Sequence, residues 1–293
     1  MIQMISKLAI GTAQFGSIYG IANKTGKIKY QEAKEIIKFA EKNNIKTIDT
    51  ASAYGESEKL LGQIGISDFD VITKLPKIIN PIKNFENWFK DSINLSLQRL
   101  KINKLSTIMI HNSNDLFGEN GKSLIKFLYQ AKEDSIVDNI GISIYSPNEL
   151  NKILNMFDFD VIQAPLNPFD NRLVTSGWMD ELLKRGIKVH IRSIFLQGLL
   201  LIPYDKIPKS FDKFKSNLKQ WHDWNINNNF TSIETCIGFI NSFESIDKII
   251  VGIDNLSHLQ EIIKLINIRD NKFKNMNFVS NDINLIDPSR WSL

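Results

Sequence analysis

Short, continuously apolar runs alternate along the chain with longer segments whose apolar residues fall at helical spacing. The runs at 8–11, 46–49, 71–74, 107–111, 139–143, 161–164, 188–192 and 248–251 read as strands. Between them apolar residues recur three and four apart, as in Ala33, Ile36, Ile37 and Ala40, or Ile93, Leu97 and Leu100. Leu124, Phe127 and Leu128, then Leu150, Ile153 and Leu154, repeat the pattern, which buries one stripe of a helix. Ser146 and Pro147 stand where a helix would start, and Ser57 precedes another. The strands are apolar throughout rather than alternating, as a sheet covered on both faces requires. Eight strand–helix units within 293 residues predict an α/β fold, a (β/α)8 TIM barrel. No long Gly/Ser/Pro linker divides residues 1–293, so a single domain is expected. The stretch 201–229 is longer than one unit needs. It reads as a βα insertion with a helix around 211–225, and a lid over the site is one use for it.

Three strand ends carry chemistry. Asp49 closes the second run, Lys74 the third and His111 the fourth, and Tyr54 follows in the loop after the second. Active sites of such barrels lie at the C-terminal ends of the strands, and neighbouring strands are about 4.8 Å apart. The four side chains can therefore meet. A phenol titrates near 10, and a buried ammonium beside it lowers that value. Lys74 is placed to supply the charge, Asp49 to keep Lys74 charged, and His111 to orient a substrate oxygen. Any one of these residues alone has a bland reading: a cap, a snorkelling lysine, a packed ring. Together they suit proton transfer to a carbonyl oxygen while hydride reaches its carbon, or the reverse.

Composition adds little and excludes more. A net charge of +4 with interspersed lysines and acids gives no reason to expect nucleic acid or an anionic membrane surface. Cys236 is alone, so a reducing, cytoplasmic location is expected rather than a disulfide framework. The first eleven residues lack the pattern of a secretory leader, and the apolar stretch 193–203 is too short to cross a bilayer. The four histidines show no metal-ligand spacing, so no metal is expected; His190 reads as a core residue, His222 and His258 as solvent-facing. Gly118 to Ser123 imitates a phosphate loop, but Leu116 stands where the motif needs glycine. No Gly-x-Gly-x-x-Gly follows a strand, which disfavours a Rossmann dehydrogenase.

The chain resembles the aldo-keto reductases over nearly its whole length. The run from Asp49 through Tyr54 and Gly55 to Gly62 carries most of the likeness. Gly11-Thr12, Ser96-Leu97-Gln98-Arg99-Leu100, Ile110-His111-Asn112, Gly141-Ile142-Ser143, Gln163 with Asn167, and Gln197-Gly198-Leu199-Leu200 add to it. The resemblance implies a nicotinamide dinucleotide extended across the barrel rim. It implies Tyr54 as general acid/base, tuned by Lys74 and Asp49, with His111 orienting the carbonyl of an aldehyde, ketone or sugar. Gly11, Thr12, Asp49 and Gly252 join the cofactor contacts on this reading, and Ser143 and Gln163 look like the holders of its carboxamide. Arg192 stands where the family often stacks a tyrosine on the nicotinamide; it can stack or reach the pyrophosphate. Ser193, Leu196 and Gln197 would line the pyrophosphate path, and His258 would lie near the adenine.

The last unit departs from the pattern. The family usually offers Ser or Lys, then Arg, to the 2′-phosphate of NADP; here Asp254 and Asn255 hold those places. NADP(H) is implied by the family, and NAD(H) is open because a carboxylate accepts from ribose hydroxyls and repels phosphate. Phe15, Tyr19, Trp88, Tyr54 and His111 are the expected substrate contacts, with Tyr204, Trp221 and Trp224 as further pocket walls. The competing reading is a non-catalytic, dinucleotide-binding regulatory barrel. A phosphate-binding barrel lyase would leave the Tyr/Lys/His set unexplained.

Overall fold

A computed structural model describes residues 2–291. Eight strands, β1 Leu8–Gly11, β2 Thr47–Asp49, β3 Asp70–Lys74, β4 Leu105–Ile110, β5 Val137–Ser143, β6 Val161–Pro165, β7 Lys188–Arg192 and β8 Lys248–Gly252, close in chain order into a parallel barrel. Closure is the pairing of β1 with β8, Gly11 beside Gly252. β4 and β5 start earlier than their apolar runs because Leu105 and Val137 pair across Ser106 and Asp138, polar positions that hide the strand period.

The helices bury the expected stripes. Tyr30–Lys42 turns Ala33, Ile36, Ile37 and Ala40 inward; Gly121–Glu133 buries Leu124 and Leu128. Ser146 accepts from the Asn148 N–H while Glu149 reaches back to the Ser146 N–H, closing a capping box ahead of Leu150–Leu154. Ser57 differs from its expected place. It is the first residue of the helix Ser57–Ile64, and its buried hydroxyl bonds Thr12 at 2.9 Å and Thr50 at 3.1 Å. It ties the loop after β2 to the loop after β1.

In the 201–229 segment, 3-10 turns at Tyr204–Lys206 and Lys209–Phe214 lead into the helix Lys215–Asn227. Trp221 is wholly buried, and its Nε1–H donates to the Leu200 carbonyl at 3.0 Å. Its ring meets Phe169 and Phe278 edge-on, and Trp224 stacks on Phe230. These rings fasten the helix to the outside of the barrel, so Trp221 and Trp224 are packing residues and not pocket walls. Tyr204 stands edge-on to His222, which is half-buried rather than solvated as expected.

His190 on β7 is buried. Burial, and then the charges of Lys248, Lys188 and Lys74, push its pKa down to about 3. An unfolded histidine titrates near 6.5, so between those values the unfolded chain binds a proton that the folded chain refuses, and stability falls as pH falls. The expected cost is about 1.4 kcal/mol per pH unit below 6 for one such histidine. Thermal melts from pH 7 to 4.5 should show a falling Tm, and His190→Met should make the slope shallower. An equal slope in the variant would contradict this assignment.

Candidate active site

The residues from the strand ends meet at the C-terminal mouth of the barrel. Asp49 ends β2 and Lys74 ends β3; both are buried, and Lys74 Nζ lies 2.6 Å from Asp49 Oδ1. Lys74 also donates to the Thr50 carbonyl at 3.0 Å. The other Asp49 oxygen accepts from Gln163 Nε2 at 2.8 Å, and Gln163 Oε1 accepts from Ser143 Oγ at 3.3 Å. A carboxylate bonded at both oxygens and paired with an ammonium satisfies the demand that buried charge be compensated.

Tyr54 reaches this pair from the loop after β2. A Cβ on Gly16 would fall 1.5 Å from the Tyr54 carbonyl oxygen, so only glycine lets the two loops approach. Gly55 adopts φ +54° and meets Gly16 in turn. Lys74 Nζ lies 5.3 Å from the centre of the Tyr54 ring, and His111, one residue past β4, stands edge-on to it at 5.8 Å.

Charge at this mouth is set by burial. Burial and then the Asp49 carboxylate hold the Tyr54 phenol above its ordinary value, with Arg192 pulling the other way. This differs from the expected acidification by Lys74, because burial disfavours the phenolate and Asp49 sits on the ammonium and offsets it. Burial, then the Lys74 and Arg192 cations, lower His111 to about 4. Near neutral pH the site therefore presents a protonated phenol and a neutral imidazole. Such a phenol has a proton to give, and such an imidazole can accept or donate one hydrogen bond without carrying charge.

A cleft of about 830 Å³ opens from Tyr54 and Asp49 and runs past Arg192, Ser193 and Gln197 to Gly252, Asp254 and His258. Gly11, Thr12 and Tyr19 line it as well. Several expected contacts lie elsewhere. Leu196 and Phe15 are fully buried in the core. Trp88 packs on Phe85, 5.0 Å between ring centres, outside the cleft. Asn255 caps the helix Leu256–Leu265, accepting from the His258 N–H at 2.8 Å. Ser143 and Gln163 sit in the Asp49 network and do not line the cleft. His258, expected either in solvent or near the adenine, is a cleft residue facing Asp254 at 4.0 Å.

Gln14 was not among the expected site residues. It lies in the short helix Ala13–Gly16 after β1, donates to Asp254, and packs where a Gly252 side chain would stand. β1–β8 closure brings it there, a pairing that periodicity does not reveal. Phe195, in the loop after β7 and 6.0 Å from the His258 ring, was missed as well. Gln14 Oε1 and Asp254 Oδ1 are buried without hydrogen-bond partners. Unpaired acceptors at one end and a protonated phenol at the other fit a ligand bearing ribose hydroxyls and a reactive ring, as a nicotinamide dinucleotide does.

The aldo/keto reductase family model matches residues 7–280. The chain belongs to that family. A curated relative, glyoxal reductase from Bacillus subtilis (strain 168), is 29% identical over 176 residues, covering 58% of this chain and 60% of its own length. The chain thus matches less than two thirds of that relative. Solved structures share the barrel at lower identity. Aldo-keto reductase AKR11C1 from Bacillus halodurans in its holo form has a TM-score of 0.71 at 16% identity, over 89% of this chain and 87% of that one. The glycerol dehydrogenase AKR11B4 from Gluconobacter oxydans has a TM-score of 0.67 at 19% identity, over 92% and 89%. No helix among the described residues is long and apolar enough to cross a membrane.

Proposed function

We propose that the protein is a cytoplasmic, NAD(P)H-dependent reductase of small carbonyl compounds, acting as one barrel domain with the 201–229 insertion as its outer wall. The observation that carries the reading is a protonated Tyr54 set between a neutral His111 and the buried Lys74–Asp49 pair at the mouth of the cleft. When bound, the dinucleotide supplies hydride to the carbonyl carbon.

Everything else falls to the chain's own residues. Tyr54 gives its phenolic proton to the carbonyl oxygen, and His111 holds that oxygen with a neutral N–H. As the proton leaves, the phenol oxygen gains negative charge, and the Lys74 ammonium, 5.3 Å from the ring centre, favours it. Asp49 keeps Lys74 charged in a buried site. Ser143 and Gln163, hydrogen-bonded in series behind Asp49, hold that carboxylate in place. Gly11, Thr12, Ser193, Gln197 and Gly252 would border the cofactor path, and Tyr19 the substrate.

Glyoxal is the first substrate to try, given the curated relative's activity. Turnover is followed by nicotinamide absorbance with glyoxal, simple aldehydes, aldoses and keto sugars, using NADH and NADPH in parallel. Consumption of neither cofactor with any of them would remove the reading.

Cofactor preference turns on Asp254. Burial raises its pKa, while His258 and Gln14 counter this. With Gln14 and His258 beside it, the carboxylate is placed to accept ribose hydroxyls, and a 2′-phosphate there meets repulsion. Fluorescence titrations should find NADPH favoured over NADH by less than about tenfold, and Asp254→Ser should raise NADPH affinity by about tenfold. NADPH binding a hundredfold tighter than NADH in the parent protein would reject this role for Asp254.

A further inference from the structure

Arg99, Arg172, Arg185 and Arg290 each face a carboxylate. Among the described residues Arg192 does not, although it is half-buried and lines the cleft beside Tyr54 and Tyr19. The guanidinium is nonetheless held. Its Nη2 donates to the Ile144 carbonyl at 3.0 Å and its Nη1 to Ser193 Oγ at 3.3 Å, and its carbon lies 4.6 Å from the centre of the Tyr145 ring. Tyr145 is held in turn: its carbonyl accepts from Arg172 Nη2 at 3.0 Å, and Arg172 grips the buried Asp170 carboxylate with Nε at 2.7 Å and Nη2 at 2.8 Å. A guanidinium has five N–H donors and does not deprotonate in proteins. Two contacts to neutral oxygens leave most of its hydrogen-bonding capacity and all of its charge uncompensated.

The other charges at this end cancel. Lys74 is neutralised by Asp49, and His111 and the phenols are uncharged near neutral pH. One fixed positive charge remains in the cleft that holds Tyr54, in surroundings that strengthen its pull on an anion. We propose that Arg192 anchors a carboxylate of the substrate, so that the carbonyl compound reduced here is an oxo acid or an aldehyde acid. The inference rests on the carbonyl-reductase reading and names the substrate class of that same site. The dinucleotide pyrophosphate is the other source of an anion. Arg192 lines the cleft with Tyr54, and its charge acts on both Tyr54 and His111, which favours the substrate.

Paired aldehydes of matched length test it: glyoxylate against glyoxal, and succinic semialdehyde against butanal. The parent protein should favour the acid of each pair by at least about tenfold in kcat/KM. Arg192→Gln should bring that ratio close to one, a loss of about tenfold or more, mostly through KM. Arg192→Lys, which keeps the charge and loses the fork, should recover part of it. NADPH affinity, read by fluorescence, should change less than about threefold in both variants. Equal use of acid and neutral partners by the parent protein overturns the inference while leaving the reductase reading intact. A large loss of NADPH affinity with an unchanged ratio assigns Arg192 to the pyrophosphate and also overturns it. Turnover of none of the four overturns this inference, and the reductase reading then rests on the wider screen of aldoses and keto sugars.

Discussion

Tyr54→Phe should bind the dinucleotide as the parent protein does and turn over about a thousandfold more slowly. Positioned proton donors contribute about 10² to 10⁴ in rate, and neither immediate neighbour replaces Tyr54, since His111 is neutral down to about 4 and Lys74 is held by Asp49. The substitution removes one oxygen. That oxygen makes no hydrogen bond to any described residue, while the ring keeps its edge contact with His111. Stability should therefore be unchanged, and melting curves separate a chemical loss from a folding loss. Stopped-flow hydride transfer and a fluorescence titration of the cofactor are the two readouts. A variant retaining a tenth or more of the parent rate would take the proton donor's role away from Tyr54.

Most of the barrel was legible in the sequence for a simple reason. A parallel sheet covered on both faces needs unbroken apolar strands, and runs such as 71–74 and 188–192 carry that signal without interruption. Boundaries slipped where polar residues face outward within a strand, at Ser106 and Asp138. The four groups at the mouth were legible because each ends or follows a strand, and strand ends converge by construction. Contacts created by closure were not. Gln14 meets Asp254 only because β1 and β8 join the two ends of the chain. Phe15 and Leu196 were placed in the cleft from their sequence neighbours, yet both turn into the core. In the loop after β7 the backbone takes positive φ at Ser193, Leu196, Gln197 and Gly198, and such turns break the link between sequence position and side-chain direction. The sign of the electrostatics was also hidden. An ammonium next to a phenol predicts acidification, but the 2.6 Å pair with Asp49 shows that the ammonium is already balanced.

Lys74→Met should damage the protein twice. Methionine fills much of the buried space of the lysine stem, so packing is largely kept. The Asp49 carboxylate, however, loses the ammonium at 2.6 Å and keeps only the Gln163 amide among its described side-chain partners. Breaking a buried pair from one side costs about 3–5 kcal/mol, since the remaining charge is stranded in low dielectric. Urea unfolding should show a drop of that order in the parent's stability. The double variant Lys74→Met with Asp49→Asn removes both charges and should recover much of it, because the amide can still bond Gln163. Activity should follow a different course. Both variants lack the cation that favours the departing proton of Tyr54, so turnover should fall by about a hundredfold or more in each and should not return with stability. Recovery of the rate in the double variant would mean that Lys74 serves the fold alone. A single variant as stable as the parent would mean that Asp49 had taken up a proton in place of its lost partner.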